Sequence, residues 1–92
     1  MFHFEATKEQ TSSLEALAYW VADESYIQER FGTKDPEIEI CKRTISECVF
    51  PECDRLKIPY WVQNCVICFA ENWRAYQSFY LKNAMESKGI VL

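Results

Sequence analysis

The feature that most constrains the fold of this chain is the placement of its few glycine and proline residues. The 92 residues include only two Gly and three Pro, and none of them lies between Pro59 and Gly89. Glycine and proline are the residues that interrupt helices most strongly. The sequence therefore predicts one long C-terminal helix over residues 59–88.

Apolar side chains in this segment recur at intervals of three and four, as on one face of an α-helix. The main row comprises Val62, Val66, Phe69, Trp73, Tyr76, Tyr80 and Ala84, and a second row beside it comprises Trp61, Cys65, Cys68, Ala75 and Phe79. A straight helix over the segment would measure about 44 Å, whereas a compact chain of this size has a diameter of about 30 Å. The sequence therefore predicts that the helix either breaks near Glu71-Asn72 or protrudes.

Two residue pairs have the spacing of a capping box, the motif that starts many helices. They are Thr7 with Gln10, and Ser12 with Glu15. Apolar residues of helical spacing follow them, and Gly32 supplies the left-handed residue that commonly ends a helix. The sequence predicts a first helix over residues 13–31. One acid, Glu24, falls on the apolar stripe of this helix, which favours a solvated break near residues 23–25.

Proline residues mark the second helix and the turn after it. Asp35 is a typical N-cap, and Pro36 stands at the first helical position, where its missing N–H has no intrahelical partner. The sequence predicts a second helix over 36–50 and a short helical turn over 52–57. The chain is thus expected to form one all-α domain over residues 1–92, with three main helices and a short turn packed around the long C-terminal helix.

The two ends of the chain favour extended structure. Residues 2–6 alternate apolar and polar side chains, and residues 90–92 form an Ile-Val-Leu triplet of high β propensity. The sequence therefore predicts that the two ends pair.

Charge is distributed unevenly along the chain. Residues 1–39 carry nine acids and three bases, a balance of −6, whereas residues 40–92 carry seven bases and five acids, a balance of +2. The acidic half suits a basic partner. Direct nucleic-acid binding is not expected, because a surface that follows phosphates normally makes a domain basic. No apolar run reaches the roughly 18 residues of a membrane span and the start does not resemble a signal peptide, so a cytoplasmic protein without a membrane partner is expected.

Five cysteines are many for a chain of this length. Four of them have the number and proximity of ligands to one zinc ion or iron–sulfur cluster: Cys48, Cys53, Cys65 and Cys68. The surroundings are unsuited to such a site, since Val66 and Ile67 separate the last two cysteines, and free cysteine is often buried as a small hydrophobe. The sequence favours structural thiols and no cofactor, with a zinc or iron–sulfur site at these four residues as the alternative.

The sequence offers little for catalysis. His3 is the single histidine and lies near the terminus, so a Cys-His nucleophile pair would require it to fold over a particular thiol. Both glycines are predicted helix ends, which leaves none for a loop that cradles phosphate. An enzyme is not expected.

Residue types that dominate protein interfaces cluster in the C-terminal segment. Tryptophan, tyrosine and arginine are enriched among interface hot spots, and the predicted partner-binding residues are Trp73, Arg74, Tyr76, Phe79 and Tyr80. Arg74 lies opposite the main apolar row and is expected to be exposed. The alternative is an ordinary amphipathic helix in which Glu71 and Arg74 form an i, i+3 ion pair.

Three functions are compatible with these features. The prediction is a small non-enzymatic regulatory or adaptor protein that binds another protein, including a second copy of itself through the C-terminal helix. The first alternative is a metal module built on the four cysteines. The second alternative is an acidic inhibitor, encoded by a mobile element, that targets a nucleic-acid-handling protein.

Overall fold

The structure is a computed structural model that describes residues 2–92, and it confirms the all-α prediction. Almost all of the regular structure is helical, with one short strand near each end. The elements in chain order are β1 (Phe4–Glu5), α1 (Lys8–Phe31), α2 (Pro36–Thr44), a π-helical segment (Ile45–Val49), α3 (Phe50–Arg55), α4 (Tyr60–Ala70), α5 (Trp73–Ser78), α6 (Leu81–Glu86) and β2 (Ile90–Val91).

Helix α1 is the element against which most of the others pack. It begins at the first of the two predicted capping boxes, where the Thr7 hydroxyl accepts from the Gln10 N–H and the Gln10 side chain accepts from the Thr7 N–H. It ends at Gly32, whose φ is +95°. The helix is longer than the predicted 13–31 and continues without the expected break at 23–25. It contacts α2, α3, α4 and α5, so the packing centre is α1 and not a C-terminal helix.

The predicted second helix and helical turn form one continuous helical stretch from α2 through α3. Pro51 lies inside this stretch, where a proline has no N–H to donate and its ring conflicts with the carbonyl of an ordinary α-helix four residues earlier. The π-helical segment ends at Val49, two residues before Pro51, and the Phe50 N–H bonds to the Ile45 carbonyl five residues back. This wider turn accommodates the proline without ending the helix.

The C-terminal segment consists of three short helices, which corrects the prediction of one helix over 59–88. The first break falls at Glu71-Asn72, as expected for a helix too long for the domain, and the Asn72 side chain caps α5 by accepting from the Ala75 N–H. The second break falls at Phe79-Tyr80, where both residues are extended. These breaks fold α6 back against α4. Two residues of α6, Leu81 and Met85, thereby enter the core.

The predicted pairing of the two ends is confirmed. Strands β1 and β2 are parallel, with Phe4 opposite Ile90. The Phe4 N–H donates to the Gly89 carbonyl at 2.9 Å, and the Ala6 N–H donates to the Val91 carbonyl at 2.8 Å. The pairing places the Ile90 side chain in the core, fully buried.

The core has a main cluster and a small satellite. Leu14 and Leu17 of α1 meet Val62 and Val66 of α4 in the main cluster, all of them fully buried. The satellite consists of Ile27, Ile38 and Cys41, with Trp20 and Tyr26 packed against it. Among the helices of residues 2–92, none carries an apolar stretch sufficient to cross a bilayer.

Candidate functional site

A groove of about 300 Å³ lies between α1 and α5, and we call it the α1–α5 groove. Its lining residues are Tyr19, Ala22, Asp23 and Tyr26 of α1 together with Trp73, Tyr76 and Gln77 of α5. The spacings are i, i+3, i+4, i+7 on α1 and i, i+3, i+4 on α5, which place each set on one face of its helix. The groove is therefore formed between one face of α1 and one face of α5.

The aromatic rings of the groove are held in a defined arrangement. The centroids of the Tyr26 and Trp73 rings are 4.9 Å apart and the ring planes meet at 85°. The Tyr76 ring packs against Phe69 of α4, with the ring centroids 6.2 Å apart. Burial, the carboxylate of Glu15 and the nearby Tyr19 raise the pKa of the Tyr76 phenol above its ordinary value. Tyr76 therefore presents a neutral ring at physiological pH.

Helix α5 is anchored to α1 by a single carboxylate. The Trp73 indole Nε1 donates to Oε2 of Glu29 at 2.5 Å, and the Arg74 guanidinium lies 2.6 Å from Oε1 of the same side chain. Arg74 is exposed, as expected, but the i, i+3 pairing with Glu71 is wrong because Glu29 on α1 takes that place. The Glu71 backbone carbonyl instead accepts from the Ser25 hydroxyl of α1.

Asp23 supplies the one acidic side chain of the α1–α5 groove. Its Oδ2 accepts a hydrogen bond from the Cys41 thiol at 3.6 Å. Burial, and next the Asp23 carboxylate, raise the pKa of the Cys41 thiol to about 11, so the thiol keeps its proton. The ion pairs among residues 2–92 do not involve Asp23. Its negative charge therefore has no cationic partner in the described part of the chain.

A second groove of about 430 Å³, the α5–α6 groove, adjoins the first. Its lining residues are Glu15, Tyr76, Gln77, Ser78, Phe79, Tyr80 and Leu81, so Tyr76 and Gln77 belong to both grooves. Phe79 is 62% exposed and Tyr80 82% exposed at the corner between α5 and α6, and Tyr19 of the α1–α5 groove is 55% exposed. We call the two grooves and these three side chains the aromatic surface.

The structure brings most of the predicted partner-binding residues together. Trp73 and Tyr76 line the α1–α5 groove, and Phe79 and Tyr80 line the neighbouring one. Arg74 lines neither groove and lies over the Trp73 ring, with its guanidinium carbon 5.0 Å from the ring centroid. Whether these side chains bind a partner stays a prediction.

Sequence reasoning missed the residues that α1 contributes. Tyr19, Asp23 and Tyr26 lie outside the apolar stripe from which the first helix was predicted. Their own spacing of i, i+4, i+7 was the available signal, since it places two tyrosines and an acid on a single face. These residues face α5 only because the chain breaks at Asn72 and α5 turns onto α1.

The four candidate metal ligands occupy separate environments. Cys53 is fully buried and lies 3.2 Å from the Ser13 hydroxyl of α1. Cys48 and Cys68 are exposed, and Cys65 is half-buried on α4. Within residues 2–92, no three His, Cys, Asp or Glu side chains are grouped so that they could hold a metal ion. The geometry thus gives the zinc or iron–sulfur alternative no support.

Comparison with protein-family models, with curated proteins and with solved structures gave no match.

Proposed function

We propose that this protein is a small non-enzymatic regulatory or adaptor protein that binds another protein through the aromatic surface. The observation that carries the proposal is the grouping of three largely exposed rings, Tyr19, Phe79 and Tyr80, around two adjoining grooves. Grouped aromatic side chains that remain in water are characteristic of interaction sites. Single exposed apolar residues elsewhere need no such explanation.

The anchoring of α5 supports a binding role for this surface. Glu29 holds Trp73 and Arg74 in place, and Phe69 holds Tyr76. A partner therefore meets rings that are already ordered. Preorganisation of this kind increases affinity because fewer side chains lose freedom on binding.

Charge supports a basic partner. Asp23 lines one groove and Glu15 lines the other, and residues 1–39 carry a balance of −6. Complementary charge across an interface speeds association and favours the correct partner over others. A partner surface that combines basic and apolar side chains fits both features of the aromatic surface.

A pair of tyrosine variants tests the proposal. Tyr80→Ser removes the most exposed ring of the aromatic surface, and Tyr60→Ser is the matched control because Tyr60 is 77% exposed at the start of α4 and lines neither groove. Each immobilised variant is incubated with lysate from the source cells, and captured proteins are quantified by mass spectrometry. We expect a protein that wild type and Tyr60→Ser retain and that Tyr80→Ser loses. Equal capture by all three variants contradicts the proposal.

A second copy of the chain is the partner that is simplest to test. Light scattering on the eluting size-exclusion peak gives the mass directly, with 10.9 kDa for one chain. A dimer that Tyr80→Ser converts to a monomer, and Tyr60→Ser does not, identifies the aromatic surface as a self-association site. A monomeric wild type rules out self-association through this surface.

A further inference from the structure

We infer that the α1–α5 groove is an aromatic cage for a methylated lysine side chain of the partner protein. This inference rests on the proposed function and names the chemistry that one of its two grooves recognises. The groove combines the two components of such a site, namely several aromatic faces and an acidic side chain without a cation of its own.

The rings provide the first component. Four aromatic side chains line the α1–α5 groove: Tyr19, Tyr26, Trp73 and Tyr76. The face of each ring is electronegative and attracts a cation placed over it. The Tyr26 and Trp73 rings touch edge to face, so a cation beside this contact lies over the face of one ring and against the rim of the other. Tyr19 and Tyr76 complete the lining on the two helices.

The cations of the chain itself demonstrate that these rings attract positive charge. The Arg74 guanidinium lies over the Trp73 ring at 5.0 Å, and the Arg30 guanidinium lies over the Tyr26 ring at 5.8 Å. Neither arginine lines the α1–α5 groove, so the groove is left open to a further cation. The charge of Arg74 is offset by Glu29, whereas Arg30 forms no ion pair among residues 2–92 and adds positive charge beside Tyr26.

Asp23 provides the second component. It is half-buried on the α1 side of the groove, and its one side-chain partner is the neutral thiol of Cys41. No lysine or arginine within the described range 2–92 forms an ion pair with it. A cation bound among the rings would therefore lie near a carboxylate that forms no ion pair within residues 2–92.

Hydration favours a methylated ammonium over an ordinary lysine. The unmodified ε-ammonium is a compact and strongly hydrated charge, so moving it among four rings would sacrifice most of its hydration. Methyl groups spread the charge, replace N–H donors that the rings cannot satisfy, and add apolar surface that the rings can cover. The groove volume of about 300 Å³ leaves room for such a group.

Calorimetric titration with four small probes tests the inference. The probes are Nα-acetyl-trimethyllysine amide, Nα-acetyl-lysine amide, the neutral isostere in which carbon replaces the methylated nitrogen, and tetramethylammonium chloride. We expect the trimethyllysine probe to bind about tenfold more tightly than the lysine probe and the neutral isostere, as cation–π attraction in a desolvated site implies. Equal affinity of the isostere, or no binding of the trimethyllysine probe at 10 mM, overturns the inference. Tetramethylammonium carries the same kind of charged head and is expected to bind with similar affinity, and its failure to bind where the trimethyllysine probe binds overturns the assignment of the rings to the ammonium group.

Three variants locate the bound probe. Tyr19→Leu and Asp23→Asn change partly exposed side chains, and each is expected to weaken trimethyllysine binding at least about fivefold. Tyr60→Leu is expected to leave the affinity unchanged. Thermal unfolding of each variant verifies that it remains folded, and unchanged binding in both folded groove variants overturns the location. The Tyr80 capture experiment remains independent, because loss of a partner there supports the proposed function even when no cationic probe binds.

Discussion

Trp73 of α5 and Glu29 of α1 are joined by a hydrogen bond in which the indole Nε1 donates to Oε2 at 2.5 Å. The other oxygen of the same carboxylate pairs with Arg74 at 2.6 Å. One side chain therefore holds two consecutive residues of a helix that is only six residues long. A helix this short is unstable without tertiary contacts, so Glu29 is expected to maintain the α1–α5 groove.

Replacing Glu29 by alanine should loosen α5. We expect the free energy of unfolding to fall by about 1 kcal/mol, because the variant loses one charge-assisted hydrogen bond and one partly exposed ion pair. Urea denaturation measures this change. Glu39→Ala, on the exposed side of α2, is the control and should have an effect of less than about 0.5 kcal/mol. Equal effects of the two substitutions would contradict the anchoring role.

The two glycines offer a matched pair of substitutions, Gly32 at the end of α1 and Gly89 just before β2. Both have positive φ, +95° at Gly32 and +81° at Gly89, so alanine at either position costs about 1 kcal/mol of backbone strain. A Cβ at Gly89 would also lie 2.4 Å from the Phe2 carbonyl oxygen, whereas a Cβ at Gly32 meets nothing within 4 Å. We expect Gly89→Ala to be the more destabilising substitution.

Thermal and urea unfolding of both glycine variants measure the difference. The excess loss at Gly89→Ala should be about 1 kcal/mol or more, because the clash with backbone forces β1 away from β2. Faster hydrogen exchange at the Phe4 and Ala6 amides, which bond to the second strand, would locate the damage. Equal stability of the two variants would mean that the parallel pairing contributes little.

The Cys41 thiol should react slowly with alkylating reagents even in alkaline solution. Its pKa is raised from 9.0 to about 11, chiefly by burial and next by Asp23, so only about 1% is thiolate at pH 9 compared with about half of an ordinary thiol. Because the folded pKa is the higher one, this contribution to stability is complete below pH 9 and is lost as the pH rises through about 11. Iodoacetamide labelling followed by peptide mass spectrometry reports each cysteine separately.

The Asp23→Asn variant identifies the cause. Removing the carboxylate should lower the pKa of Cys41 and accelerate its labelling at pH 9, while labelling of the exposed Cys48 stays constant and serves as the internal standard. An unchanged Cys41 rate would assign the protection to burial alone.

Replacing Glu24 by glutamine should stabilise the protein at neutral pH. Burial raises the pKa of the Glu24 carboxyl above 4.5, with Lys42 opposing and Glu71 adding to the shift. The fold thus favours the protonated acid, and this contribution is present below about pH 4.5 and is lost as the pH rises through the raised value. We expect Glu24→Gln to gain about 0.5 kcal/mol at pH 7, since the side chain remains partly solvated.

Urea denaturation at pH 7 and pH 4 checks both the sign and the pH dependence of this effect. The gain should shrink at pH 4, where the wild-type carboxyl is largely protonated. Glu39→Gln, a substitution of an exposed acid, is the control at both pH values. A destabilised Glu24→Gln at pH 7 would indicate that attraction to Lys42 outweighs burial.

Local signals in the sequence were sufficient for the helical class, the chain ends and the first break. Gly32 and Asp35-Pro36 act through their own backbone, so their effects are readable without tertiary information. The break near Asn72 was predicted because an unbroken helix over 59–88 would be longer than the diameter of a domain of this size. The second break at Phe79-Tyr80 has no glycine or proline, and it arises because α6 must fold back to bury Met85 against α4. This packing involves residues far apart in the sequence, so the second break could not be predicted from local sequence signals.

The sequence likewise revealed only the part of the candidate site that lies on a single segment of the chain. Trp73, Tyr76, Phe79 and Tyr80 form a dense run of aromatic residues, which composition alone reveals. Their counterparts on α1, Tyr19 and Tyr26, become neighbours of that run only when α5 turns at Asn72. Arg74 pairs across helices for the same reason, since the turn places it beside Glu29.

The central claim is that the α1–α5 groove binds a cationic side chain. The NMR signals of the tryptophan indole N–H groups test it in a single spectrum. The protein has three tryptophans, of which Trp73 lines the groove, whereas Trp61 lies outside it and packs against Phe2. On titration of ¹⁵N-labelled protein with Nα-acetyl-trimethyllysine amide, we predict a saturable shift of the Trp73 indole signal and no shift of the Trp61 signal. An unmoved Trp73 signal, or equal movement of both, would contradict the claim.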